Sequence, residues 1–101
     1  MTNAEISDVF SLLAKLMDIH NENSFRAKSY ASAAFTIDKL SVSLADTAKE
    51  QIQFIKGIGE SNAKKIIEIL ETGKLEQLEQ LLAKTPEGIL ALLQIKVAVE
   101  Q

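Results

Sequence analysis

The sequence predicts an all-α fold, a compact bundle of five to six short helices, and three observations carry that prediction. Apolar residues recur at steps of three and four along most of the chain, the period of a helix face. One proline and four glycines in 101 residues are too few for a strand-and-turn architecture. No stretch shows the strict alternation that a half-buried strand requires.

Each element can be justified in order. Ile6, Val9, Phe10, Leu13, Leu16, Met17 and His20 form one stripe of a helix running from about Ala4 to about His20. "NENS" breaks the pattern, and Asn23 or Ser24 can cap a second helix with Ala27, Tyr30, Ala31, Ala34 and Ile37 along one side. Its alanines permit a close helix–helix approach. "LSVSLAD" is a connection. Thr47 and Glu50 have capping-box spacing, which predicts a short third helix from Thr47 to Ile55. Gly57-Ile58-Gly59 interrupts it, and Ser61 can cap a fourth helix whose Ala63, Ile66, Ile67 and Leu70 face inward. Gly73 is placed to end that helix in a left-handed conformation. Leu75, Leu78, Leu81 and Leu82 make a fifth helix. Thr85 before Pro86 reads as an N-cap opening a sixth through Leu93.

Composition limits the function. The chain length predicts a single domain over 1–101. Hydrophobic content of 47% with 5% aromatic predicts an aliphatic core. The absence of cysteine excludes disulfides, zinc–thiolate sites and thiol nucleophiles together. One histidine, far along the chain from any acid–base set, leaves no hydrolase arrangement to assemble. Met1 leads into polar residues and no long apolar run follows, so the expectation is a cytoplasmic protein without signal peptide or membrane span.

The formal net charge of −3 is unevenly spread. Residues 20–39 carry Arg26, Lys28 and Lys39 against Glu22 and Asp38, and residues 51–74 carry Lys56, Lys64, Lys65 and Lys74 against Glu60, Glu68 and Glu71. A weakly basic middle therefore sits in an acidic frame, which permits an anion site.

Two of the four glycines flank Ile58. A Gly-hydrophobic-Gly step between helices forms a tight hairpin, because glycine enters backbone conformations closed to other residues. Ile58 is expected to turn inward, leaving the amides of Gly59 to Ser61 at the start of the next helix. Free N–H groups at a helix N-terminus attract a phosphate oxygen. Lys64 and Lys65 oppose the helix dipole there, an arrangement that costs the helix and favours an anion.

The stretch "IKGIGESNAKKI" resembles the helix-hairpin-helix motif, here at about 47–72. "DIHNENSFRAKSYASAA" before it and "ETGKLEQLEQL" behind it resemble segments of the amino-terminal domain of the family X DNA polymerases, so the likeness runs from about Ala4 to about Ile95. The resemblance implies binding to gapped or single-stranded DNA without sequence preference, in repair or replication. In the polymerase beta type this domain also has 5′-deoxyribose-phosphate lyase activity. Carried over, the phosphate-facing hairpin falls on Gly57, Ile58, Gly59 and Ser61, flanked by Lys56, Lys64 and Lys65. The lyase lysine falls on Lys65 and its neighbouring tyrosine on Tyr30. A K+ or Na+ site would use the main-chain carbonyls of Gln53, Ile55 and Ile58. Apart from the resemblance, Arg26 and Lys28 either extend the DNA path or solvate a helix face.

Departures are equally specific. Ser61 stands where the motif usually has a second lysine, Ala31 and Ser32 replace basic residues, and Gln77 replaces another. A second hairpin of the bacterial members would fall on Leu92–Val99, where valines cannot cheaply adopt the required geometry, and no polymerase active site is present. Three readings follow: a DNA-binding module served by a polymerase or nuclease from another chain, a lyase acting through Lys65, and a helical protein-interaction module. The plain alternatives are a solvated Lys65 paired with Glu68, Tyr30 in the core, Phe25 as a packing anchor, and His20 at a helix end.

Overall fold

The computed structural model describes residues 1–92, and Leu93 with the rest of the replaced second hairpin beyond Leu92 lies outside them. Helices α1 (Asn3–Ile19), α2 (Ser24–Lys39), α3 (Lys49–Ile52), α4 (Gly59–Thr72), α5 (Glu76–Lys84) and α6 (Glu87–Leu92) follow one another, with a 3-10 turn at Leu44–Asp46 between α2 and α3. Among the described residues there is no strand, as the pattern predicted.

α1 begins with a capping box formed by Thr2 and Glu5. The Thr2 hydroxyl accepts the amide of Glu5 at 3.1 Å, and the Glu5 carboxylate accepts the amide of Thr2 at 2.8 Å. That backbone N–H, helped by the Thr2 side chain, holds the Glu5 carboxyl below its ordinary range. Ile6, Phe10, Leu13, Leu16 and Met17 are buried, with α1 packed chiefly on α2 and also on α5. On α2 the inner face is Ala27, Tyr30, Ala33, Ala34 and Ile37, so Ala33 takes the place predicted for Ala31, which is exposed. The small residues bring the helices close enough for the Ser7 hydroxyl to donate to the Ala34 carbonyl at 2.7 Å. Phe10 meets Tyr30 edge-on, ring centroids 6.2 Å apart.

Asn23, not Ser24, caps α2, its Oδ1 accepting the amide of Arg26 at 3.1 Å. Asn3 ties the α2–α3 connection back to α1. Its amide group donates to the Val42 carbonyl at 2.6 Å and accepts from the Leu44 amide at 2.9 Å. Leu44 is consequently sealed in the core.

The Thr47 capping box does not form. The Thr47 hydroxyl donates to the Ser43 carbonyl at 2.8 Å, finishing the 3-10 turn, and α3 starts later with Ala48 in the cap position. A hydroxyl spent on the preceding turn is not available to the following helix.

At the other end of α4, Gly73 adopts φ +80° and donates to the Ile69 carbonyl at 2.8 Å, the predicted left-handed stop. Glu68 reaches across to accept the first amide of α5, Glu76, at 2.7 Å. Leu78 and Leu81 then pack α5 onto the bundle. Thr85 closes α5 instead of capping α6. Its hydroxyl donates to the Leu81 carbonyl at 2.7 Å and meets His20 Nε2 at 2.8 Å. Because the hydroxyl hydrogen is committed to Leu81, His20 is the donor in that pair.

Candidate nucleic-acid interface

The hairpin is built as its glycines suggested. Gly57 has φ +93° and Gly59 φ +75°, both in the region that favours glycine. Ile58 between them is buried, and its amide donates to the Ile55 carbonyl at 3.0 Å. The two glycines do different work. A Cβ on Gly57 would stand 3.0 Å from the Thr36 side chain, so the hairpin is pressed against α2 at that point. A Cβ on Gly59 would meet nothing within 4 Å.

α4 starts at Gly59, two residues before the predicted Ser61 cap. Ile58 occupies the cap position, and its hydrocarbon side chain accepts nothing, so no side-chain hydrogen bond closes the first turn. Gly59, Glu60 and Ser61 are exposed. Their amides are among the donors that a helix leaves without internal partners. They border a cavity of about 330 Å³, formed by Ile58–Asn62 on one side and Phe25, Arg26, Ser29 and Tyr30 of α2 on the other. Glu60 lines it too and subtracts from the positive potential.

The basic residues do not all converge here. Arg26 lines the cavity, while Lys28 is exposed elsewhere on α2 and Lys56 is exposed on the hairpin turn. Lys64 and Lys65, successive on α4, diverge by about 100° around its axis. Lys64 borders a separate groove with Lys49, Glu50, Gln53 and Glu60. Lys65 goes to the other flank and is half-buried. Its Nζ donates to Gln77 Oε1 at 2.7 Å and lies 5.3 Å from the centroid of the Tyr30 ring. Glu68, its expected partner, is committed to α5. Gln77, a departure from the polymerase pattern, is therefore what holds Lys65.

Phe25 corrects another expectation. It is 83% exposed, not a packing anchor. The cause is angular: Phe25 lies about 200° around the helix from Ala27, which faces α1. Phe35 and Phe54 are exposed as well, leaving Phe10 as the buried one of four phenylalanines. Nothing in the residue type announced this, since aromatic side chains ordinarily seek burial. Phase relative to the α1-facing alanines could have shown it.

His20 is fixed by Thr85, and among the described residues no group of histidine, aspartate and glutamate could hold a metal ion. Nor is any described helix long and apolar enough to cross a membrane.

A model of the helix-hairpin-helix domain matches residues 1–75. The chain belongs to the helix-hairpin-helix domain family. DNA polymerase/3′-5′ exonuclease PolX of Bacillus subtilis (strain 168) is 26% identical over 95 residues, an alignment that covers 94% of this chain and 16% of that protein. The helix-hairpin-helix domain described here thus spans a small part of that relative's length, and the similarity agrees with the polymerase resemblance carried by its three segments.

Proposed function

We propose that this helix-hairpin-helix domain binds the phosphodiester backbone of gapped or single-stranded DNA, without sequence preference. One observation carries the reading: the first turn of α4 is uncapped and exposed beside a cavity that Arg26 lines from α2. The amides of Gly59 to Ser61 would hold phosphate oxygens, positioning the strand without reading bases. Arg26, Lys28, Lys56, Lys64 and Lys65 would add long-range attraction. K+ or Na+ at the carbonyls of Gln53, Ile55 and Ile58 belongs to the same proposal. The Ile55 carbonyl already accepts the Ile58 amide and keeps a second lone pair for a cation that would neutralise phosphate charge. The polymerase and exonuclease activities named in the relative would be supplied by another chain or another part of the protein.

Fluorescence anisotropy with a gapped duplex tests this. Binding should weaken with salt at a log–log slope of roughly −0.9 per phosphate contact. Absence of binding at high micromolar protein and low salt would end the proposal.

The lyase reading has one observation in its favour, the pairing of Lys65 with Tyr30 in a half-buried setting. A Schiff base requires the lysine nitrogen to reach a sugar aldehyde, and the hydrogen bond to Gln77 holds it back. Borohydride trapping on an incised abasic substrate decides the matter; cross-linking retained by Lys65→Ala would clear Lys65. For the interaction-module reading, Leu75, Leu78, Leu81 and Leu90 are buried, Leu82 is half-buried and Leu92 is exposed, so the described part of the last two helices offers little leucine surface.

A further inference from the structure

α2 carries a second surface that starts at the hairpin cavity and runs away from it. Phe25, Lys28, Ser32, Phe35 and Lys39 follow one another at steps of three and four, so they form one stripe. All five are exposed, with Phe35 at 67%. The stripe lies opposite the buried face of Ala27, Tyr30, Ala34 and Ile37. The stripe positions themselves hold no carboxylate: Asp38, the acidic residue of α2, sits on the flank toward α1, in a groove with Asp8 that one edge of Phe35 also lines. Lys39 Nζ lies 5.4 Å from the centroid of the Phe35 ring. In a chain of net charge −3, this is a face of exposed aromatic rings and lysines.

Such a face suits one kind of occupant. An apolar protein surface covering Phe35 would strip water from Lys28 and Lys39 without returning a partner to them. An unpaired nucleic-acid strand supplies flat rings for phenylalanine and phosphates for lysine in alternation, at every step and with any sequence. The spacing is also suitable. Phe25 and Phe35 are separated by roughly 15 Å of helix, the rise of about four stacked nucleotides at roughly 3.4 Å each. One end of the stripe, Phe25, borders the hairpin cavity, so a strand held there can continue along α2 without leaving the surface.

We propose that the outer face of α2 is a stacking track for unpaired DNA, with a base on Phe35 and phosphates on Lys28 and Lys39. The proposal rests on the DNA-binding reading of the hairpin; Phe35 and Lys39 lie outside that reading, and Lys28 is shared with it.

The test compares two labelled probes by anisotropy at low salt: an oligothymidylate of about fifteen nucleotides, and a gapped duplex. Phe35→Ala should weaken oligothymidylate binding by about fivefold to a hundredfold, the usual loss for one base–aromatic stack, and leave the gapped duplex within twofold. Phe35→Tyr should restore it. Lys28→Gln and Lys39→Gln should each lower the salt slope for oligothymidylate by roughly 0.7. Oligothymidylate affinity unchanged by Phe35→Ala overturns the track, as does competition by polyglutamate as effective as that by unlabelled oligothymidylate. Duplex binding without any oligothymidylate binding also overturns the track and leaves the hairpin standing. Oligothymidylate binding that needs Phe35 while the gapped duplex fails to bind sinks the hairpin reading instead.

Discussion

The N-terminus of α1 and the N-terminus of α4 make the same physical demand and meet opposite answers. At α1, Thr2 and Glu5 satisfy each other's backbone donors, and Asn3 fastens the α2–α3 connection over the same turn. α2 has Asn23, and α5 borrows Glu68 from the helix before it. At α4 the chain places Ile58 and turns it inward, so the following amides face solvent beside Arg26. The protein has the means to cap its helices from within and applies them neither at the single-turn α3, which starts behind Ala48, nor at the hairpin. An uncapped terminus costs stability, of order 1 kcal/mol relative to a good cap. Retaining it there is consistent with a ligand that takes the place of a cap.

That contrast can be broken in several ways. The largest effect should come from Gly57→Ala, which forces a side chain into a positive-φ position and against Thr36 at once. A loss of about 2–3 kcal/mol is expected in urea unfolding. Adding Thr36→Ala should recover the share due to the clash and not the share due to the backbone. Gly59→Ala meets no neighbour and should cost only about 1–2 kcal/mol.

Ser61→Asp sharpens the comparison because stability and binding should move in opposite directions. A second carboxylate in the first turn of α4, beside Glu60, should stabilise the helix by about 0.3–1 kcal/mol. The same charge should repel phosphate and weaken gapped-duplex binding about tenfold, roughly 1.4 kcal/mol. A variant both more stable and tighter on DNA would contradict the account.

Thr2→Ala is the control at the capped end. It should cost about 1 kcal/mol of stability by thermal unfolding and leave DNA affinity unchanged. The smallest effect is that of pH on the same cap. Glu5 titrates below its ordinary value of 4.5 when folded, so its contribution is complete above that value. It is lost as pH falls through the lower folded value, because the protonated carboxyl no longer accepts as strongly from Thr2. Glu5→Gln should flatten the acid limb of a pH–stability curve in that range.

How far this was visible beforehand depended on which force decides each feature. The stripes of α1 and α5, the left-handed Gly73 and the inward Ile58 were legible, because burial and glycine's freedom act locally. Thr47 and Thr85 misled because a hydroxyl has several carbonyls within reach. Ser43 and Leu81 won, and only the path of the chain decides that. At the site, the positive-φ glycines were legible, but their division of labour was not, since Thr36 is remote in sequence. The divergence of Lys64 and Lys65 was available from helical phase alone. The hold of Gln77 on Lys65 was not, since it depends on how α5 folds back across α4.

An NMR titration of the amide resonances with a gapped duplex tests the central contrast most directly. The amides of Gly59, Glu60 and Ser61 should move first and furthest, while those of Ala4 and Glu5 at the capped start of α1 stay in place. Hairpin amides that remain still while bound DNA perturbs other surfaces would show that the open end of α4 is not a phosphate site.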